Sequence, residues 1–371
     1  MRILYCIPTL GNGGAERQLS YLAVALKKAG HDVHIASSRG GLNLERLNSA
    51  GIQWHHLGGI DNRDPIIFFR LARLLRQLRP DVVQTILTPM DIMGGAAALV
   101  ARTPWVLKES SSALMYPSGL RYRLRSALGR RANGIVSNST GGDEFWRSVG
   151  GVRTLCIIPN PVPFDEIELA ESELNQEVAW TNQDKVVLFA GRLDAGKNVG
   201  NLILALGRIA SELSFTAVIC GDGPDRSRLE RMTRELGLAD RVVFTGYVTN
   251  LWTLMKTAAA FASLSRFEGC PNVVLEAMAC GCPLVLSDIR EHREIVKGYG
   301  ASFVNPEEPA AAASAIKAVL TNGTAARLRA RAAQAKTTNW TIEQTARMYE
   351  RVYVDVAGAL GAVGRSSRPR K

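Results

Sequence analysis

Several common signatures are missing from this chain. Its six cysteines, Cys6, Cys156, Cys220, Cys270, Cys280 and Cys282, include no C-x-x-C pair. Cys280-Gly-Cys282 has no further Cys or His beside it, so neither a zinc site nor a disulfide framework is expected, and the thiols read as reduced. No Asp-x-Asp is present. The most apolar stretch, "IMGGAAALVA" at 92–101, falls far short of the ~18 residues that a membrane span requires. The opening "MRILYCIPTL" runs straight into a strand pattern with no signal-peptide core, so a cytoplasmic protein, free or peripheral, is expected. The glycine loop "GNGGAER" at 11–17 is not G-x-G-x-x-G, and no acid closes the next strand pattern, "HIASS". A dinucleotide site is therefore disfavoured. "GRLDAGKN" at 191–198 lacks the spacing of a Walker loop.

What is present is ordinary globular material in two similar halves. Length alone suggests two or three domains. "RILYCI", "HDVHIAS", "DVVQTI", "PWVLKES", "GIVSNS" and "CIIPN" are strand-length apolar runs, several separated by helical patterns. The scheme restarts at "KVVLFAG" (185–191) and continues through "FTAVICG", "RVVFTGYV", "AAAFASLS" and "PLVLSD". Alternation of this kind implies α/β domains with doubly wound parallel sheets. The three prolines of "IPNPVPFDE" (158–166) mark the joint. The expected division is an N-terminal domain, 1–163, and a C-terminal domain, 164–340. A last helix near 341–357 is free to pack on either, and a basic flexible tail follows at 358–371.

In open parallel sheets ligands sit beyond the carboxyl ends of the strands, so the loops there carry the chemistry. Gly13 and Gly14 precede a helix whose first N–H groups could meet an anion. Arg192 and Lys197 share one strand-end loop and suit a diphosphate. The "GDGP" turn holds Gly223. In "RFEGCPNVVLEAMACGCPL" (266–284), Pro271 suits the first turn of a helix. That places Glu268 in the loop before the helix and Glu276 inside it, up to about 12 Å apart. Two carboxylates at that separation do not share a proton. They could hold opposite ends of one extended ligand, with the amides near Asn272–Val274 cradling a phosphate between them.

Together, "FEGCPNVVLEAMACGCPLV", "GGAER", "GRLDAGKN", "GDGP" and "PNPV" resemble the retaining glycosyltransferases of family 4, with their E-x7-E motif, in the family's order and over nearly the whole chain. The resemblance implies a GT-B fold, two Rossmann-like domains facing across a cleft. It implies transfer of a hexose or N-acetylhexosamine from a nucleotide-diphosphate sugar, a UDP-sugar above all, to a glycan or polyprenyl-linked acceptor. Glu276 would hold the ribose and Glu268 the donor sugar. Arg192 and Lys197 would neutralise the leaving diphosphate. Backbone at Gly13, Gly14 and Cys270–Val273 (Cys270, Pro271, Asn272, Val273) would add donors, and Gly223, Tyr247 and Val248 would bracket the base. Neither metal nor cofactor is implied beyond the donor itself. Where many relatives have a His or Asp, "PWVLKESSS" offers Glu109, which would touch donor or acceptor. A sugar-nucleotide epimerase of the same fold and a non-catalytic glycan-binding module are the alternatives.

Charge is uneven. Residues 1–160 hold 20 Lys/Arg against 10 Asp/Glu, while the chain holds 45 against 34. Nearly all of the net +11 is therefore in the first half. Arg121, Arg123, Arg125, Arg130 and Arg131 alternate with Leu120, Tyr122, Leu124 and Leu128, and Arg70, Arg73, Arg76 and Arg79 recur along another helix. Such segments suit an anionic membrane surface at the inner face of the cell membrane. Nucleic acid is not the expected partner.

Overall fold

The computed structural model describes residues 1–62, 64–111, 119–170, 185–249 and 251–366, with side chains to 358. Its strands are β1 (Arg2–Cys6), β2 (Asp32–Ser37), β3 (Gln53–His56), β4 (Val82–Ile86), β5 (Trp105–Glu109), β6 (Gly134–Ser137), β7 (Thr154–Ile157), β8 (Lys185–Ala190), β9 (Phe215–Cys220), β10 (Val242–Gly246), β11 (Ala260–Ser263), β12 (Leu284–Ser287) and β13 (Ser302–Val304). The helices up to the middle of the chain are α1 (Gly14–Lys28), α2 (Asn43–Ser49), α3 (Ile66–Leu78), α4 (Thr88–Ala101), α5 (Leu120–Gly129), α6 (Thr140–Val149) and α7 (Phe164–Leu169). Those that follow are α8 (Val199–Ile209), α9 (Arg226–Glu235), α10 (Leu251–Thr257), α11 (Asn272–Ala279), α12 (Arg290–Val296), α13 (Pro309–Thr321), α14 (Gly323–Gln334) and α15 (Ile342–Ser366).

The chain divides into two units, Met1–Pro161 with Trp340 onward, and Val162–Asn339. The first holds a seven-stranded sheet in the order β3-β2-β1-β4-β5-β6-β7, and the second a six-stranded sheet in the order β10-β9-β8-β11-β12-β13. Every pair of neighbouring strands is parallel. Parallel strands need helices on both faces, and the buried apolar runs of β1, β4, β8 and β9 supply what those helices cover. The order reverses between β1 and β4 and again between β8 and β11, so each sheet has a switch point where its loops diverge.

The last helix closes the first unit. The Tyr353 hydroxyl donates to Gln84 Oε1 (2.7 Å) and lies 3.0 Å from that of Tyr5 on β1. Tyr349 and Val352 join the same apolar core. The expected flexible tail is helical through Ser366, because Ala and Leu between its glycines favour helix and no proline follows before Pro369. Residues 367–371 lie outside the described residues.

Candidate functional site

Arg192, Lys197, Gly223, Glu268 and Glu276 all lie in or just after the loops at the carboxyl ends of the second unit's strands. After β8 the chain turns at Gly191, whose N–H donates to Cys220 O (2.9 Å), and Leu193 N–H donates to Asp222 O (2.9 Å). These bonds zip together the loops after β8 and β9. A Cβ on Gly221, where φ is +127°, would lie 1.9 Å from Gly191 O, and one on Gly223 would lie 2.3 Å from Leu193 O. Only glycine allows that approach.

Asp194 shapes the next turn by accepting from Lys197 N–H at 3.1 Å. The loop after β11 reaches back to meet it. Arg266 donates through its backbone N–H to Gly196 O (2.9 Å) and through Nη1 to Ala195 O (2.6 Å), and its guanidinium is fixed from behind by Glu307. The result is an ion pair. Lys197 Nζ stands 2.5 Å from Glu268 Oε1, with the carboxylate largely withdrawn from solvent. Arg192, from the same turn, is instead exposed, its Nε 3.6 Å from Asp194.

Glu276 is the fifth residue of α11 and is 1% exposed. The indole Nε1 of Trp252, on α10, donates to its Oε2 at 2.9 Å. Trp252 lies outside every motif named above. The nearby Tyr247 is half exposed and Val248 partly buried. One expectation needs correcting here. Asn272 N–H donates to Cys270 O (2.9 Å) and Val274 N–H to Pro271 O (3.0 Å), so those amides are turned into the loop. Val273, in the first turn, keeps an amide that a helix cannot satisfy internally. Burial pushes the thiol of Cys280 up to about 12, which keeps it protonated and unreactive.

His292, on α12, was also not singled out. It is fully buried, with Nδ1 3.0 Å from both Ser287 O and Ser287 Oγ. Burial holds the imidazole below the usual histidine range, opposed by the Glu268 carboxylate. Among the described residues no cluster of His, Cys, Asp or Glu is arranged to hold a metal ion.

In the first unit Gly13 caps α1 and Gly14 begins it. The Glu16 carboxylate folds back onto this turn, where a Cβ on Gly13 would meet Oε2 at 2.1 Å. Glu109, the expected contact to donor or acceptor, lies in the core of the first unit. It has no solvent exposure, and its carboxylate accepts from Arg125 Nη1 (2.8 Å), Trp146 Nε1 (2.9 Å) and Ser111 N–H (3.0 Å). Arg125 also pairs with Asp91 Oδ2 at 2.7 Å, so it is a core residue and no part of a basic surface. Burial raises Asp91 to about 6 despite the guanidinium.

Comparison with known proteins places these loops in a family. The model described as glycosyl transferases group 1 matches residues 171–338, and a glycosyl transferase 4-like domain matches 13–161. A Campylobacter jejuni GalNAc-alpha-(1->4)-GalNAc-alpha-(1->3)-diNAcBac-PP-undecaprenol alpha-1,4-N-acetyl-D-galactosaminyltransferase is 30% identical over 293 residues, 75% of this chain and 77% of its own length. The chain belongs to the group 1 glycosyltransferases. A second Campylobacter jejuni enzyme, an N-acetylgalactosamine-N,N'-diacetylbacillosaminyl-diphospho-undecaprenol 4-alpha-N-acetylgalactosaminyltransferase, is 28% identical over 76% of this glycosyltransferase and 79% of its own length. Among solved structures, Anabaena Alr3699/HepE in complex with UDP and glucose superposes with a TM-score of 0.86 at 21% identity, covering 96% of this chain and 100% of that one. WaaG, a glycosyltransferase involved in lipopolysaccharide biosynthesis, gives 0.77 at 15% identity over 96% of this chain and 100% of its own. These neighbours carry the GT-B fold, with two parallel-sheet α/β domains.

Proposed function

We propose that this glycosyltransferase moves a hexose or N-acetylhexosamine, with retention of configuration, from a UDP-sugar to a lipid-linked glycan. The observation that carries the reading is the Lys197–Glu268 pair at 2.5 Å beside the buried, Trp252-held Glu276. In this reading Glu276 accepts from the ribose hydroxyls and Glu268 reads the transferred sugar. Lys197 and Arg192 meet the diphosphate and neutralise the charge that grows on it as the glycosidic bond breaks. Fixed cations of this kind act where charge develops in the transition state, so the reaction needs no metal ion from the protein. Tyr247, Val248 and Gly223 flank the base, and Val273 N–H adds a donor. The leaving phosphate oxygen takes the acceptor's proton, so no side-chain base is needed and Glu109 serves as a buried support. The α-linkages and undecaprenyl acceptors in the relatives' names, and the UDP in the neighbour's, support the choice of donor and acceptor.

The acceptor class agrees with the surface of the first unit. On α3, Ile66 and Phe69 are exposed beside the exposed Arg70, Arg73, Arg76 and Arg79, and on α5 Leu120 and Leu124 accompany Arg123. Apolar and cationic groups side by side suit the cytoplasmic leaflet of a membrane. Among the described residues no helix is long and apolar enough to cross one.

A panel of UDP-sugars, each scored for slow release of UDP with EDTA present, tests the donor. Release from none of them overturns the reading, and release that EDTA abolishes overturns its metal-free form. Flotation with anionic vesicles at low salt tests the surface, and absence of binding removes it.

A further inference from the structure

His292 carries a buried nitrogen that no hydrogen bond uses. Its Nδ1 faces the carbonyl oxygen of Ser287 at 3.0 Å. A carbonyl can only accept, so the proton sits on Nδ1 and Nε2 is the bare nitrogen of a neutral ring. Nε2 is buried and has no hydrogen-bond partner. An orphaned buried polar atom carries the full cost of its lost hydration, and a native site that retains one calls for a reason.

The surroundings supply it. Ser287 Oγ donates to Ser265 O at 2.6 Å, which ties the end of β12 to the loop that carries Glu268 three residues on. Both members of the Lys197–Glu268 pair act on the ring, the carboxylate favouring its protonation and the ammonium opposing it. The neighbouring Glu291 is itself held above the usual carboxylate range by burial, and then by the carboxylates of Glu294 and Glu268. While Lys197 sits on Glu268 the two charges offset each other at the imidazole.

We propose that His292 is a positioning residue for Glu268. When the donor diphosphate draws the Lys197 ammonium away, Nε2 takes a proton from solvent and holds the carboxylate in its place. This rests on the donor reading above. The step is a single proton uptake. Water or buffer gives H⁺, the bare Nε2 becomes N–H, and the bond it donates replaces the one Lys197 gave up. Glu268 thus stays fixed while it reads the sugar.

Calorimetry of the full chain with UDP-glucose or another UDP-sugar tests this, because such a donor has no phosphate that titrates near neutrality. Titrations run in buffers of different ionisation enthalpy should show uptake of up to about one proton per donor bound near pH 7. In His292→Gln, whose amide can donate without a proton, the uptake should vanish while turnover is largely kept. In His292→Leu, turnover should fall by about tenfold with UDP affinity within about twofold, as expected for one lost charge-assisted hydrogen bond. Should the variants fail to fold, the ¹⁵N shift of Nε2 in the wild-type protein, with only five histidines to assign, must move to the protonated range on donor binding. Binding without proton uptake, uptake that persists in His292→Gln, or an unmoved Nε2 shift overturns the inference and leaves the donor reading intact. A wild-type protein that binds no nucleotide sugar overturns both.

Discussion

The ammonium of Lys197 and the carboxylate of Glu268, 71 residues apart in sequence, meet at 2.5 Å. Their pairing joins the loop after β8 to the loop after β11, the two strands that flank the switch point of the second sheet. A cation and an anion poised there can separate when a ligand brings charges of its own. Lys197→Ala is expected to lower turnover by about 10²–10³-fold, the usual cost of losing a group that stabilises developing charge. Lys197→Arg should recover part of it, since charge is kept and geometry is not. Steady-state kinetics with the best donor decides, and full activity in Lys197→Ala removes the pair from the mechanism.

Trp252 predicts a different kinetic signature. Its indole N–H holds Glu276 from the side, and Trp252→Phe deletes that bond while keeping most of the ring. The expected result is a rise of about fivefold in the donor KM, equivalent to about 1 kcal/mol, with kcat little changed. A lower kcat at constant KM would mean that Glu276 acts on the reacting bond itself.

The Asp91–Arg125–Glu109 network makes stability depend on pH. Two buried carboxylates share one guanidinium, and burial lifts Asp91 from 3.8 to about 6. The folded state therefore holds this proton more tightly than the unfolded one. Its contribution is favourable at low pH, is lost as pH rises from about 4 to about 6, and is constant above that. Asp91→Asn should flatten that part of the stability–pH curve, a change of up to about 3 kcal/mol for a shift of this size. Melting temperatures between pH 4 and 8 give the comparison, and parallel curves for the two proteins would place the titration elsewhere.

Backbone contact at Gly221 should be unforgiving. Gly221→Ala would set a methyl group 1.9 Å from Gly191 O at a φ of +127°. The expected loss of stability is at least 2–4 kcal/mol, roughly the range for backbone strain combined with overpacking. Gly237 also has positive φ, +70°, but has nothing within 4 Å of its Cβ position. Gly237→Ala should cost only about 1 kcal/mol. Equal losses at the two positions would show that strain, not contact, sets the cost.

Much of this was legible in the chain, for physical reasons. A buried parallel strand must be apolar along its length, so the central strands stand out as runs. The strands missed, β3 and β13, are two of the four edge strands, where "QWHH" is half exposed and "SFV" is only three residues long. Glu268 and Glu276 were visible because acids are conspicuous in an apolar stretch. Arg125 was misread for the converse reason. Its segment is amphipathic and basic, and only a contact with Asp91, 34 residues away, turns that one arginine inward. Trp252 and His292 lie beyond reach of any spacing rule, because each acts on a partner two dozen residues distant, Glu276 and Glu268.

The return of α15 to the first unit has a consequence for how the protein is made. Tyr5 and Tyr353 are 348 residues apart, and the whole second unit lies between them. As the chain leaves the ribosome, the second unit has all of its residues before the first has its last helix. The unit whose strands emerge first is thus the unit completed last, and until Tyr349 and Tyr353 emerge it waits with one face of its core uncovered.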